Sequence, residues 1–326
     1  MPSKDFTELK QKIEKEYRNI TGIHIVKGGE LLHESYYNGC HEQSRVNIYS
    51  VTKSIISLLL GIAMDKNMIE SVDQKILDFF PEYPPEQLKS DLKNLTIKNL
   101  ITMTTPFKYG ALPPYIKYFT SDDWVRFSMD QIGGKKNIGD FNYTPLIGPD
   151  ILSGILSKAT GKSVSAFANE CLFEPLGISQ KEDLYLKDKN DYMKFNKSTD
   201  LNNWTTGENG INPAGWGLTL SAGEMSSIGQ LCLNEGMWGD EAIVSKEWIS
   251  ESVKEHSQWK KLNLSYGYLW WVLDEGKGIY AAMGDGGNAI YINKSRSTVI
   301  SIQSSFMRNA KDRIKLIEEE ILPLID

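Results

Sequence analysis

Apolar positions recur at helical spacing at the start of the chain: Phe6, Leu9, Ile13 and Tyr17 share one face, so residues 5–20 are expected to form an amphipathic helix. Two short strand-like runs follow, 22–26 and 31–36, and Lys27-Gly28-Gly29-Glu30 between them reads as a hairpin turn. Residues 50–65 differ, because their apolar side chains go nearly all the way round, which predicts a buried helix. Helices are also expected over 147–159, stopped by Gly161, and over 164–173, stopped by Pro175 and Gly177. Two long loops, 104–120 and 181–213, interrupt this middle part, and loops of that length in a compact domain are usually functional. After residue 213 the pattern changes. Ser221 with Glu224 three residues on is a capping box opening a helix over 221–234, and 245–253 reads as another. Strand-like runs come at 266–273, 278–283, 289–292 and 298–303, with a turn at Asn293-Lys294-Ser295-Arg296 and a closing helix over 308–322. Strands at both ends around a helical middle predict an α+β fold: one mostly antiparallel sheet built from both termini and flanked by helices. The sheet part would comprise residues 1–49 plus 214–326, and 50–213 would form an inserted, mainly helical subdomain within a single domain. A cleft between two such parts is a common ligand site.

Composition narrows the function. The 326 residues are 40% hydrophobic and 24% charged, with a net charge of −6, so no basic face for nucleic acid is expected. The longest nearly apolar run, 55–64, is too short to span a bilayer, and the charged first nineteen residues do not read as a signal peptide. Cys40, Cys171 and Cys232 are far apart, and reduced thiols in a cytoplasmic protein are the expected reading. His24, His33, His41 and His256 form no pair with ligand spacing, so neither metal nor cofactor is expected. Gly284-x-Gly286-Gly287 lies between strand-like runs and opens no helix, unlike a phosphate cradle.

The chemistry concentrates at Ser50-Val51-Thr52-Lys53. Spacing of three puts the lysine on the serine's side of the helix, close enough to take its proton. Desolvation at an apolar helix lowers a lysine's pKa toward useful base strength, and the helix start leaves free N–H groups for an oxyanion. Ser-x-x-Lys also occurs at Ser90 and Ser257, but in polar stretches. The bland alternative is a serine N-cap with a solvated lysine one turn on.

The stretch from Val46 through Tyr83 resembles the nucleophile helix of the serine β-lactamase and penicillin-binding-protein superfamily, which carries Ser-x-x-Lys. LTIKNLITMTT, FNYTPLIGPDILSGILSKATGKSVSAFANECLFEPLGI, WGLTLSAGEMSSIGQLCLNEGMWGDEAIVSKEWI and YGYLWWV resemble further segments in the expected order. The branch resembled is the class C β-lactamase-like one, which includes esterases, D-amino-acid peptidases and oligoamide hydrolases. The resemblance implies Ser50 as the acylated nucleophile, Lys53 as its proton partner and Tyr143 as the tyrosine of the second motif. It also implies an oxyanion hole of the Ser50 and Asn288 backbone N–H groups, and a third motif at Asp285-Gly286-Gly287. Two departures stand out. Pro145 replaces the second motif's asparagine, and Asp285 replaces the cation that opens the third and helps bind a substrate carboxylate. Pro145, Asp285, Gly286 and Gly287 are thus the expected substrate-binding positions. Trp270, Trp271 and the cluster Tyr115, Tyr118 and Phe119 are either core or acyl-pocket lining. The implied activity is acyl-enzyme hydrolysis of a small ester or amide, esterase-like, with little β-lactamase activity. The alternatives are a D-amino-acid peptidase or oligoamide hydrolase, or a non-catalytic module that keeps the fold. The expected partner is that small-molecule substrate, with no nucleic acid and no membrane; oligomeric state is not indicated.

Overall fold

The computed structural model describes residues 5–84, 86, 89–109 and 113–325. Its centre is an eight-stranded antiparallel sheet. From edge to edge the order is Glu30–Tyr36, Ile20–Lys27, Thr298–Ser304, Asn288–Asn293, Ile279–Gly284, Trp271–Asp274, Leu264–Tyr266 and Ser257–Trp259. The two N-terminal strands join the C-terminal ones through Ile20–Lys27 against Thr298–Ser304, with His24 opposite Ser301 and Ile25 opposite Ile300. Helix Thr7–Glu16 and the C-terminal helical segment cover one face, where Leu9, Ile13, Ile23, Ile25, Ile300, Ile302 and Leu316 pack together. The other face carries a larger core that includes helices Ala222–Leu233 and Val51–Asp65. This is an α+β fold with one antiparallel sheet built from both ends of the chain and flanked by helices.

Residues Val51 to Ala63 of helix Val51–Asp65 are all buried, as apolar side chains on every side require. Helix Asp150–Thr160 ends at Gly161, whose φ of 68° supplies the left-handed cap. Several expectations need correction. The run 266–273 is two strands, because the chain reverses at Leu269 (φ 63°) and pairs Tyr266 with Trp271. The stretch 181–213 is not simply a loop. Strands Glu182–Tyr185 and Asn203–Thr206 pair in parallel around helix Lys189–Lys197, whose start is capped by Asp188. The closing helix begins at Arg313, behind the Asp312 cap, rather than at 308, and continues to Ile325. No helix among the described residues is long and apolar enough to cross a membrane.

Candidate active site

The short strand Val46–Asn47 leads into Tyr49, whose φ of 49° is a left-handed conformation that costs a bulky residue on the order of 1–3 kcal/mol. Asn47 holds this turn: its Oδ1 accepts the N–H of Tyr49 at 3.1 Å and that of Gly217 at 3.1 Å. The turn delivers Ser50 just ahead of helix Val51–Asp65, and its hydroxyl makes no capping bond. Instead the Lys53 ammonium donates to Ser50 Oγ at 2.9 Å. Lys53 is 1% exposed, so the solvated-lysine alternative does not describe it. It donates also to the Pro145 carbonyl at 2.6 Å and faces the Gly215 carbonyl at 3.5 Å. Burial pushes its pKa down to about 7, against the opposing pull of the Asp285 and Asp150 carboxylates.

Tyr143 stands beside this pair, its ring centroid 5.3 Å from Lys53 Nζ. Burial raises its phenol to about 12, while the Ser50 hydroxyl draws it the other way. The ring is braced by Trp271 at 5.3 Å and Trp259 at 6.4 Å, so Trp271 serves both core and site. Trp270, by contrast, is core, edge-on to Tyr280. Pro145 offers no amide side chain; its backbone carbonyl grips Lys53. Gly215 lies directly against the Pro145 carbonyl and Lys53. A Cβ there would lie 2.5 Å from the Pro145 oxygen and 3.2 Å from Lys53 Nζ, so only glycine fits.

The third-motif assignment needs a shift. Strand Ile279–Gly284 ends against the turn that carries Ser50: a Cβ on Gly284 would lie 2.2 Å from the Ile48 oxygen and 3.1 Å from the Ser50 nitrogen. Asp285–Gly287 is instead the tight turn of a hairpin, with Gly286 at φ 77° and Gly287 at φ 90°. The direction a side chain would take at Gly286 leads to the Ser305 backbone, and at Gly287 to the Arg313 side chain. Asn288 is buried, its amide donating to the Asp285 and Ser304 carbonyls at 2.9 and 3.0 Å. The structure therefore brings Gly284 against Ser50, while the Cβ directions of Gly286 and Gly287 lead to Ser305 and Arg313. Asp285 follows Gly284, is exposed, and its charge acts on Lys53, Tyr143, Tyr49, Tyr115 and Tyr192.

Three residues of the site were not singled out from the sequence: Asn47, Gly215 and Asp150. The glycines on either side of Trp216 are the signal that could have found Gly215, whereas nothing in the pattern marks Asn47 or Asp150. Among the described residues no group of three or more His, Cys, Asp or Glu could hold a metal ion.

The family described as Beta-lactamase matches residues 11–322. A relative from Paenarthrobacter ureafaciens, named 6-aminohexanoate-dimer hydrolase, is 20% identical over 307 residues, 86% of this chain and 71% of that one. The octameric penicillin-binding protein homologue from Pyrococcus abyssi superposes with a TM-score of 0.71 at 18% identity, over 98% of this chain and 76% of that one. A family VIII carboxylesterase superposes with a TM-score of 0.68 at 13% identity, over 99% of this chain and 98% of that one.

Proposed function

Because this chain belongs to the beta-lactamase family, we propose that it is a serine hydrolase that forms an acyl-enzyme at Ser50 with a small ester or amide. The observation that carries this reading is the contact of 2.9 Å between Ser50 Oγ and a buried Lys53 with a pKa of about 7. A neutral amine at that distance takes the hydroxyl proton as Oγ attacks the substrate carbonyl carbon. The electrons of the C=O bond move to its oxygen, which the Ser50 N–H and the N–H of the Gly284–Asp285 peptide hold as an oxyanion. Collapse of that intermediate expels the alkoxide or amine, which is protonated from the Lys53 ammonium through Tyr143. With its pKa near 12, the phenol is a proton donor at neutral pH and not the resting base. Water then enters by the same proton path, releasing the acid and restoring Ser50.

Asp285 supports a preference for uncharged acyl groups, since a carboxylate next to Gly284 repels a substrate carboxylate. This favours ester-like substrates over penicillins. A second reading, hydrolysis of linear amides, is supported by the relative named 6-aminohexanoate-dimer hydrolase. The test is labelling with a fluorophosphonate, followed by mass measurement of the intact protein. One adduct on the wild type and none on Ser50→Ala is expected; equal labelling of both would refute the assignment.

A further inference from the structure

Asp150 is the first residue of helix Asp150–Thr160 and is 0% exposed. Its two oxygens are used on different segments: Oδ1 accepts the Ala214 N–H at 3.0 Å and Oδ2 the Tyr118 hydroxyl at 2.6 Å. The Tyr118 oxygen accepts in turn the Trp216 indole N–H at 3.3 Å. Asp150 thus clamps both neighbours of Gly215, one directly and one through Tyr118.

That position matters for Lys53. A neutral amine has two N–H bonds and one lone pair. The Pro145 carbonyl at 2.6 Å takes one donor; the Gly215 carbonyl, 3.5 Å from both Lys53 Nζ and Ser50 Oγ, lies against the second, with the lone pair toward the Ser50 hydroxyl. If the Gly215 carbonyl drifts, the amine rotates and its lone pair no longer faces Ser50. Building on the hydrolase reading above, we propose that Asp150 is a positioning residue that fixes the Gly215 carbonyl, orients the Lys53 lone pair toward Ser50, and supplies a negative charge facing the lysine.

The groups facing Lys53 are Asp150 from its helix, Asp285 from the hairpin turn, Tyr143 and the Ser50 hydroxyl. Those facing Asp150 are Tyr118, Lys53 and, at longer range, Tyr109, whose own hydroxyl donates to the Ile147 carbonyl. Burial raises the Asp150 carboxyl to about 7, and the Tyr118 hydroxyl, the Ala214 N–H and Lys53 each favour its ionised form. Removing the carboxylate therefore makes Lys53 easier to deprotonate while leaving it less well aimed. A clamp without an electrostatic role would do only the second.

The experiment is the rate of fluorophosphonate labelling as a function of pH for the wild type, Asp150→Asn and Tyr118→Phe. Asp150→Asn is expected to label at least about tenfold more slowly on its high-pH plateau, with the acid-side inflection moved to lower pH by about half a unit or more. Tyr118→Phe withdraws a hydrogen bond from the ionised carboxylate, so its inflection should move the same way by less. If Asp150→Asn does not fold, as read by circular dichroism, Tyr118→Phe decides alone. Labelling of the wild type with an unmoved inflection in the folded variants overturns this inference and leaves the hydrolase reading intact. No label on wild-type Ser50 overturns both.

Discussion

Replacing Lys53 by Met should make the protein inactive and more stable. The lysine carries its proton with a pKa of about 7 in the folded state against 10.5 when unhindered. At 1.36 kcal/mol for each factor of ten, holding the ammonium inside the fold costs on the order of 5 kcal/mol. A lowered lysine pKa means that the unfolded chain binds the extra proton. The cost is therefore fully present below about pH 7 and fades as the pH rises toward 10.5. Met keeps most of the stem's packing and removes this term. It also leaves the Pro145 carbonyl without the donor now at 2.6 Å, a loss of about 1–3 kcal/mol. The net expectation near pH 7 is a gain of about 2–4 kcal/mol, seen as a melting temperature higher by several degrees. The gain should shrink steadily between about pH 7 and pH 10. The same numbers describe what the burial provides. At neutral pH about half of the lysines are free amines, against about one in three thousand at the ordinary pKa. Acylation should accordingly rise with pH through about 7 in the wild type and fall by at least about a thousandfold in the variant. Thermal melts of both proteins across this range, beside their labelling rates, make the check. A lower melting temperature for Lys53→Met, with a difference from wild type that ignores pH, would refute the reasoning.

Other predictions concern the walls of the site. Gly215→Ala places a methyl group 3.2 Å from Lys53 Nζ and 2.5 Å from the Pro145 oxygen, so ester turnover should fall at least about tenfold, read by p-nitrophenyl ester kinetics. Asp285→Lys should raise kcat/KM for nitrocefin relative to a neutral p-nitrophenyl ester by more than about tenfold. An unchanged ratio would show that the Asp285 carboxylate does not read the substrate.

The parts of this molecule visible in the chain are those where one local signal had no competitor. Helix Val51–Asp65 announces itself because no polar stripe interrupts it, and the Ser221–Glu224 capping box closes as expected. Tyr266–Leu273 misled because its apolar run reads as one strand and its one turn residue, Gly267, is not where the chain reverses: Leu269 takes the positive φ. Helix Lys189–Lys197 stayed hidden because Phe195 is its one buried side chain, too little for a periodicity to show. At the hairpin, Gly284, Gly286 and Gly287 offer two possible frames for one motif. Which glycine meets Ser50 depends on the strand register, and that is a tertiary fact. Asp150 was out of reach for the same reason: its partners Tyr118 and Ala214 lie 32 and 64 residues away.

The pairing of Ile20–Lys27 with Thr298–Ser304 has a consequence for how the protein is made. Ser50 and Lys53 leave the ribosome well before Thr298–Ser304, the strand that joins the two halves of the sheet. Pairings so far apart in sequence are slow to form, because a long loop must close before any contact rewards it. Until then Ile20–Lys27 has an open edge on which another nascent chain could add. A polypeptide stalled before Thr298 would contain Ser50, Lys53 and Gly284 and hold none of them in register. Acylating capacity should therefore switch on abruptly once Thr298–Ser304 has emerged rather than grow with chain length.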